Sequence, residues 1–445
     1  MAVAIPRESV SDERLFYFRN LCGGALAASG CGNGMTQFSL EHRDLVVIGS
    51  GMAAIRLVET LRRRGDRRSI AVLGAEHSLP YNRIMLSPLL SGETAWQQLV
   101  THPAEWYEQN GVDLRLGSPV ASVDCALRRV HGACGFSLSY TDLVFATGSR
   151  AALPPLPGID LPGVSAFRDV NDVTRLQKAA RQGGAAVVLG GGLLGLEAAV
   201  ALAARGMRAT LVHRASQLMN RQLDATAAGY LQDAIEQRGV EVVTGVAPMA
   251  ISGDDRVRGV ILADGSELPA QLVVVATGIT PIAELAKTAG LAVNRGIVVD
   301  AHLRASDAHV YALGECCELN GETVGLVAPI WQQVDVLAAN LCGDAQAFSA
   351  QPYVTMLKVS GIDVHSMGDT EAEAARVLTF QDREHGIYKK LVVRDGCVVG
   401  ALLYGDIADS QLFFNLIKQA TRVGSDYCRL LLAGEMPAPQ TAANA

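Results

Sequence analysis

Two short glycine runs carry the residues best suited to chemistry. In the first, Gly49 and Gly51 flank Ser50 and are followed by Met52, Ala53 and Ala54; in the second, Gly190, Gly191 and Gly192 lead into Leu193, Leu194 and Gly195. Glycines at this spacing let a chain turn tightly, bring backbone N–H groups against a pyrophosphate, and let the next helix pack closely on the preceding strand, a task Ala54 shares with Gly195 because both are small. An anion held there meets a helix N-terminus, where unpaired N–H groups and the helix dipole favour it. Glu76, twenty-five residues beyond Gly51, is spaced to accept hydrogen bonds from ribose hydroxyls. At the end of the second unit stand His213 and Arg214, where an acid would mark NADH and a base would suit the extra phosphate of NADPH. The residue types there leave the choice open.

Each run needs a strand before it and a helix after it, and the hydropathy pattern supplies both. The apolar stretch Leu45–Ile48 precedes the first, a helical segment follows to about Arg64, and a second strand is expected at Ile70–Leu73. Around the second run the order repeats as Ala186–Leu189, a helix to about Ala204, and Ala209–Val212. Two βαβ units in one chain point to two dinucleotides bound in separate domains. Residues 185–204 have the length of a membrane span and only Glu197 as a charge, but Gly190 to Gly192 would break a helix there, so strand, turn and helix are expected and no membrane segment.

Two further stretches match one another. Leu143 to Gly148 ends in Ala146, Thr147, Gly148, and Val273 to Gly278 ends in Ala276, Thr277, Gly278. Prolines follow both, at 154, 155 and 157 and at 281, so the two stretches read as the places where the chain crosses between domains. The expected organisation is a first dinucleotide-binding domain from 44–152 and 279–345, a second inserted as 153–278, and a C-terminal domain over 346–445. In that last domain, alternating residues from Tyr353 to Val359 and from Lys390 to Val393, with Asp395-Gly396 between apolar runs, predict a small antiparallel sheet with a hairpin; Leu412, Phe413, Leu416 and Ile417 predict helix packed on it. Residues 1–43 read as a disordered extension, with Met35 as an alternative start. The fold class expected is α/β, with two Rossmann-like domains and a small α+β domain.

Composition narrows the partners. With 38 basic and 45 acidic residues the net charge is −7, and no Lys or Arg stretch is long enough to track a phosphate backbone, so no nucleic-acid partner is expected. Nine cysteines without a C-x-x-C, and histidines without H-E-x-x-H, suggest neither a disulfide framework nor a metal site, and a cytoplasmic location is expected.

The order of first fingerprint, Ala-Thr-Gly, second fingerprint, Ala-Thr-Gly and Tyr311-Ala312-Leu313-Gly314-Glu315 resembles the two-dinucleotide flavoprotein reductases, over about Asp44 to Cys342. Within them, Pro80 to Glu93, together with Gln217 to Met219 and Arg221 to Asp224, is similar to the flavin module of assimilatory nitrite reductase large subunits and to the electron-transfer subunit of assimilatory nitrate reductase. The resemblance implies FAD at the first unit and NAD(P)H at the second, with NADH favoured as donor and NADPH not excluded. It also implies that Arg83 contacts the phosphate or adenine side of FAD, that Glu315 holds its ribityl hydroxyls, and that Glu197 lies near the nicotinamide. Trp331, in Pro329 to Gln333, falls where such proteins bring an aromatic near the flavin ring, with a core tryptophan as the alternative.

The activity implied is a reductase that takes hydride from NADH and hands electrons to a nitrate or nitrite reductase catalytic subunit, with rubredoxin or ferredoxin as the second choice of acceptor. The chain after residue 345 carries only Cys397 and Cys428, too few for the four-cysteine cluster of the nitrite reductases, so electrons are expected to leave for another protein. The C-terminal position is that of an interface domain, implying homodimer or partner contact. A disulfide or peroxide reductase would need a cysteine after Asn82, where none stands, and is left with Cys316 and Cys317. A non-catalytic redox sensor would not need both fingerprints intact.

Overall fold

A strand that reads as an unbroken apolar run must be covered on both faces, and Leu45–Ile48 lies at the centre of such a sheet. The computed structural model describes residues 41–349, 354–359, 361–424 and 427–435. The expected extension lies outside these up to residue 40. The first strand, Glu41–Ile48, starts four residues before the apolar run because polar contacts extend it: Glu41 to Arg43 ladder with Leu138 to Tyr140, and Arg43 and Arg115 both bind Asp113. It pairs in parallel with Ile70–Leu73 on one side and Ser137–Phe145 on the other; Val112–Arg115 and Val310–Ala312 add parallel strands, and Arg129–Gly132 and Val120–Asp124 extend the sheet antiparallel. Helix Met52–Arg63 packs beside helix Val327–Leu341 over this core.

The second unit is a five-stranded parallel sheet in the order Val240–Thr244, Arg208–His213, Ala185–Leu189, Leu272–Val275, Val164–Ala166. Helices Leu193–Ala204 and Ala225–Glu236 share one apolar core with it, and the antiparallel strands Pro248–Gly253 and Val257–Leu262 share another. The two passages between the units, Ser149–Ala151 and Ile279–Pro281, form their own antiparallel ladder, Thr280 opposite Arg150. Each Ala-Thr-Gly threonine secures the other passage: Thr147 donates to the Ile282 carbonyl at 2.6 Å and Thr277 to the Ala152 carbonyl at 2.8 Å.

The C-terminal region is a five-stranded antiparallel sheet in the order Val354–Val359, Ile362–Gly368, Cys397–Tyr404, Ile387–Arg394, Arg376–Asp382. Asp395 and Gly396 turn its hairpin with φ of 52° and 78°, the positive values a two-residue type I′ turn requires. The predicted C-terminal helix is two helices, Ser410–Gln419 and Tyr427–Ala433, because Ala420 at φ 47° ends the first. Phe413, Leu416, Leu430 and Leu431 pack them on the sheet.

Candidate dinucleotide sites

The two fingerprints fold alike. Gly49 at φ 111° and Gly190 at φ 121° turn the chain where a Cβ would lie 2.2 Å from the Ala146 carbonyl oxygen and 2.3 Å from that of Ala276, so each turn rests on its own Ala-Thr-Gly segment. The third position is equally tight: a Cβ on Gly195 would meet the Gly190 oxygen, and Ala54 is fully buried in the corresponding place. At Gly51 and Gly192 a Cβ would meet nothing within 4 Å. Open space therefore faces the N-termini of helices Met52–Arg63 and Leu193–Ala204, neither of which is capped by a side chain. That is the cradle a pyrophosphate requires.

Beside the first cradle is a narrow pocket lined by Ser50, Gly51, Glu76, Tyr81 and Arg83 among others. Glu76 is ion-paired with Arg83 and accepts the Tyr81 hydroxyl at 2.9 Å; the Arg83 guanidinium lies 5.2 Å over the Tyr81 ring and donates to the Arg168 carbonyl at 3.1 Å. Val170 N–H donates to the Tyr81 oxygen at 3.1 Å, fixing the buried ring. Met52 sits against this segment, its sulfur accepting Arg83 N–H at 3.3 Å.

Glu315 follows the buried strand Val310–Ala312 and faces the first Ala-Thr-Gly segment. It is ion-paired with Arg168 and accepts the Ser149 hydroxyl at 2.8 Å, while Arg168 also donates to the Ser149 oxygen at 2.9 Å. Gly314 N–H is held by Gln333 at 2.9 Å. Through Arg168 a continuous polar line runs from Glu76 and Arg83 to Glu315. Sequence reasoning named Glu76, Arg83 and Glu315 but not Tyr81, Ser149 or Arg168. Tyr81 had a signal in its place beside Pro80 and Arg83; Arg168 and Ser149 are isolated residues that only the fold brings together.

Glu197, on helix Leu193–Ala204 of the second unit, accepts a hydrogen bond from Ser87 on helix Leu86–Ser91, in the segment that carries Arg83. Burial pushes its carboxyl up to about 7, against the opposing effect of the Ser87 bond. Trp331 lies in the second turn of helix Val327–Leu341, half-buried, with the Arg56 guanidinium 5.7 Å over its ring. It faces the helix after the first fingerprint. His213 accepts Gly191 N–H at 3.1 Å, and Arg214 is exposed. Thr277 and Gly278 leave the second Ala-Thr-Gly segment beside the crossing ladder. Among the described residues no group of His, Cys, Asp and Glu could hold a metal ion, and no helix is long and apolar enough to cross a membrane.

Residues 43–336 match the model of the pyridine nucleotide-disulphide oxidoreductase family. The chain belongs to that family. As a pyridine nucleotide-disulphide oxidoreductase it is an FAD-dependent NAD(P)H oxidoreductase, and residues 354–421 match the rubredoxin NAD+ reductase C-terminal domain. It is similar to a nitrite reductase [NAD(P)H] of Bacillus subtilis, 40% identical over 85% of this chain and 48% of that protein. The assimilatory nitrate reductase electron transfer subunit of the same organism is 38% identical over 85% of this chain and 50% of that protein. The chain thus spans about half the length of these curated relatives. Among solved structures, a ferredoxin reductase from Rhodopseudomonas palustris superposes with a TM-score of 0.79 at 28% identity, over 85% of this chain and 96% of that one.

The disulphide chemistry in the family name finds no support in the adjacent thiols of Cys316 and Cys317. Cys316 and Cys317 are free and buried; Cys316 donates to the Leu313 carbonyl at 3.3 Å and Cys317 to that of Gly314 at 3.2 Å. Burial pushes both thiols up, away from the thiolate that disulfide exchange needs.

Proposed function

We propose that this flavoprotein reductase takes reducing equivalents from a nicotinamide nucleotide, NADH by resemblance, and passes them to the catalytic subunit of a nitrate or nitrite reductase. The observation that carries this reading is the meeting of Glu197 with Ser87, which joins the helix of the second cradle to the segment that carries Arg83 beside the first. Ser87 and Glu197 are the residues of the two units that would flank cofactors held at both cradles. Bound flavin supplies the exchange between a two-electron donor and a one-electron acceptor. The chain's own residues bind phosphates at Gly51 and Gly192, orient the first cofactor through Glu76, Arg83, Arg168 and Glu315, and hold a proton at the Glu197 carboxyl beside the junction. The similarity to the nitrite and nitrate assimilation proteins supports the choice of partner. The match of 354–421 to a rubredoxin reductase domain favours rubredoxin or a ferredoxin as the second reading.

The test is a pull-down of the tagged protein from nitrate-grown cells, with the eluate assayed for NADH-dependent nitrate and nitrite reduction. Co-elution with a molybdenum or sirohaem protein that reduces its oxyanion is the expected result. Elution with a rubredoxin or ferredoxin would establish the second reading instead.

A further inference from the structure

We propose that Arg205 and Gln177, two residues of the second nucleotide unit, are positioning residues for the FAD site of the first. They act through the helical segment that carries Arg83. The inference rests on the reading of the first cradle as the FAD site.

In chain order that segment belongs to the first unit, since residues 80–92 lie between strands Ile70–Leu73 and Val112–Arg115, which pair in the first sheet. Its packing is with the second. Tyr81, Leu86 and Leu90 share an apolar core with Leu176, Leu196, Ala199 and Leu202, separate from the core that holds Leu45 and Leu57.

The polar contacts agree with the packing. A helix leaves its last carbonyls without partners of its own, and the second unit takes two of those in helix Leu86–Ser91. Gln177 Nε2, on helix Val170–Gln182, donates to the Leu89 carbonyl at 2.7 Å, and Arg205 Nε, at the end of helix Leu193–Ala204, donates to that of Leu90. The guanidinium charge also suits the negative end of a helix dipole. Gly92 makes room for it: the residue has φ 92°, and a Cβ there would lie 2.9 Å from Arg205 Nη2.

This grip reaches the FAD site because the segment is unbroken. Asn82 Oδ1 accepts Ile84 N–H at 3.0 Å and starts the tight helical turn Arg83–Met85, which runs into helix Leu86–Ser91 with Leu86 still helical at φ −66° and ψ −32°. Arg83 therefore stands at one end of a short rod and Leu90 near the other. At the Arg83 end, Tyr81 and Arg83 line the narrow pocket together with Ser50, Gly51 and Glu76. One wall of that pocket is thus set by the second unit, and a displaced rod would withdraw Arg83 from Glu76 with no change in the first unit's own residues.

The experiment follows FAD leaving the purified holoprotein after dilution, by the recovery of free-flavin fluorescence. Arg205→Ala and Gln177→Glu each remove a donor from a helix carbonyl, and each should speed release about threefold or more, the pair together about tenfold or more. Arg205→Lys keeps a charged donor and should stay within about twofold of wild type. Tyr388→Phe, which loosens a different contact of the second unit, should lower the melting temperature and leave release unchanged, separating positioning from general loss of stability. A variant that purifies without flavin yet melts cooperatively is the expected result in its extreme form, and if the double variant does not fold the single ones decide. Release at the wild-type rate from the Arg205→Ala and Gln177→Glu variants, or release from Tyr388→Phe as fast as from Arg205→Ala, would overturn the proposal. Gly51→Ala tests the reading beneath it: if that variant held FAD as firmly as wild type, the first cradle would not be the FAD site, whatever the Arg205 variants did.

Discussion

The Tyr388 hydroxyl donates to Asp224 Oδ2 at 2.7 Å, and through that bond the C-terminal sheet grips the second nucleotide unit at a helix cap. Asp224 caps helix Ala225–Glu236 by accepting Ala227 N–H at 3.0 Å, and the Lys390 ammonium lies 3.3 Å from the same carboxylate oxygen that Tyr388 binds. Tyr230 on that helix packs between Tyr388 and Tyr404, with ring centroids at 6.4 and 5.6 Å. Tyr388→Phe keeps the ring and removes one charge-assisted hydrogen bond, so a loss of about 1.5–3 kcal/mol is expected in urea denaturation. Faster hydrogen exchange at the start of helix Ala225–Glu236 should accompany it; an unchanged midpoint would show that Lys390 alone holds the cap.

Gly49 and Gly51 should fail differently. A Cβ at Gly49 collides with the Ala146 carbonyl in a backbone conformation that side chains avoid, so Gly49→Ala should destabilise the flavin-free protein by about 1–3 kcal/mol or more. A Cβ at Gly51 enters empty space, so Gly51→Ala should leave flavin-free stability within about 0.5 kcal/mol while FAD content falls. Equal loss of stability in both variants would mean that the space above Gly51 is not the phosphate cradle.

The Glu197 carboxyl gives stability a pH dependence of definite sign. Its pKa in the folded chain, about 7, exceeds the ordinary carboxylate value of 4.5, so between these values the folded state holds a proton that the unfolded chain has lost. Stability from this group therefore declines as pH rises through that window, by at most about 1.4 kcal/mol per pH unit, and levels off above it. Glu197→Gln should flatten this slope. Ser87→Ala removes the bond that favours the charged carboxylate and should extend the decline to higher pH. Denaturation midpoints across the window check both, and a slope that survives Glu197→Gln belongs to another group.

Cys316 and Cys317 should be silent in the redox cycle. Thiol titration in denaturant is expected to return the same count before and after NADH treatment of the native protein, since both thiols are already free. Two additional thiols per flavin after reduction would restore the disulfide reductase reading.

How far the molecule is legible in sequence follows the range of the signal. Both βαβ units are local patterns, read from glycine spacing between apolar runs, and Asp395-Gly396 marks its hairpin because only certain residues tolerate that turn. The crossing ladder is legible through the repeated Ala-Thr-Gly, although the reason for its threonines, a bond from each to the opposite passage, needs the fold. Arg168 carries no local mark: it meets Glu315, 147 residues away, and Arg83, 85 residues away. The start of the first strand at Glu41 is hidden for a related reason, since charges rather than apolar residues extend it. The types of His213 and Arg214 leave the nucleotide undecided, and the bond from Gly191 N–H to His213 is a property of the folded turn.

The crossing ladder also determines how the second nucleotide unit is tethered. Two independent tethers would let that unit twist freely, and each would give way without the other. Here the passages are laddered to each other, and Thr147 and Thr277 fasten them crosswise, so they act as a single ribbon. A protease nick in either passage would leave the severed end stitched to its neighbour by the ladder and the crosswise threonine bonds.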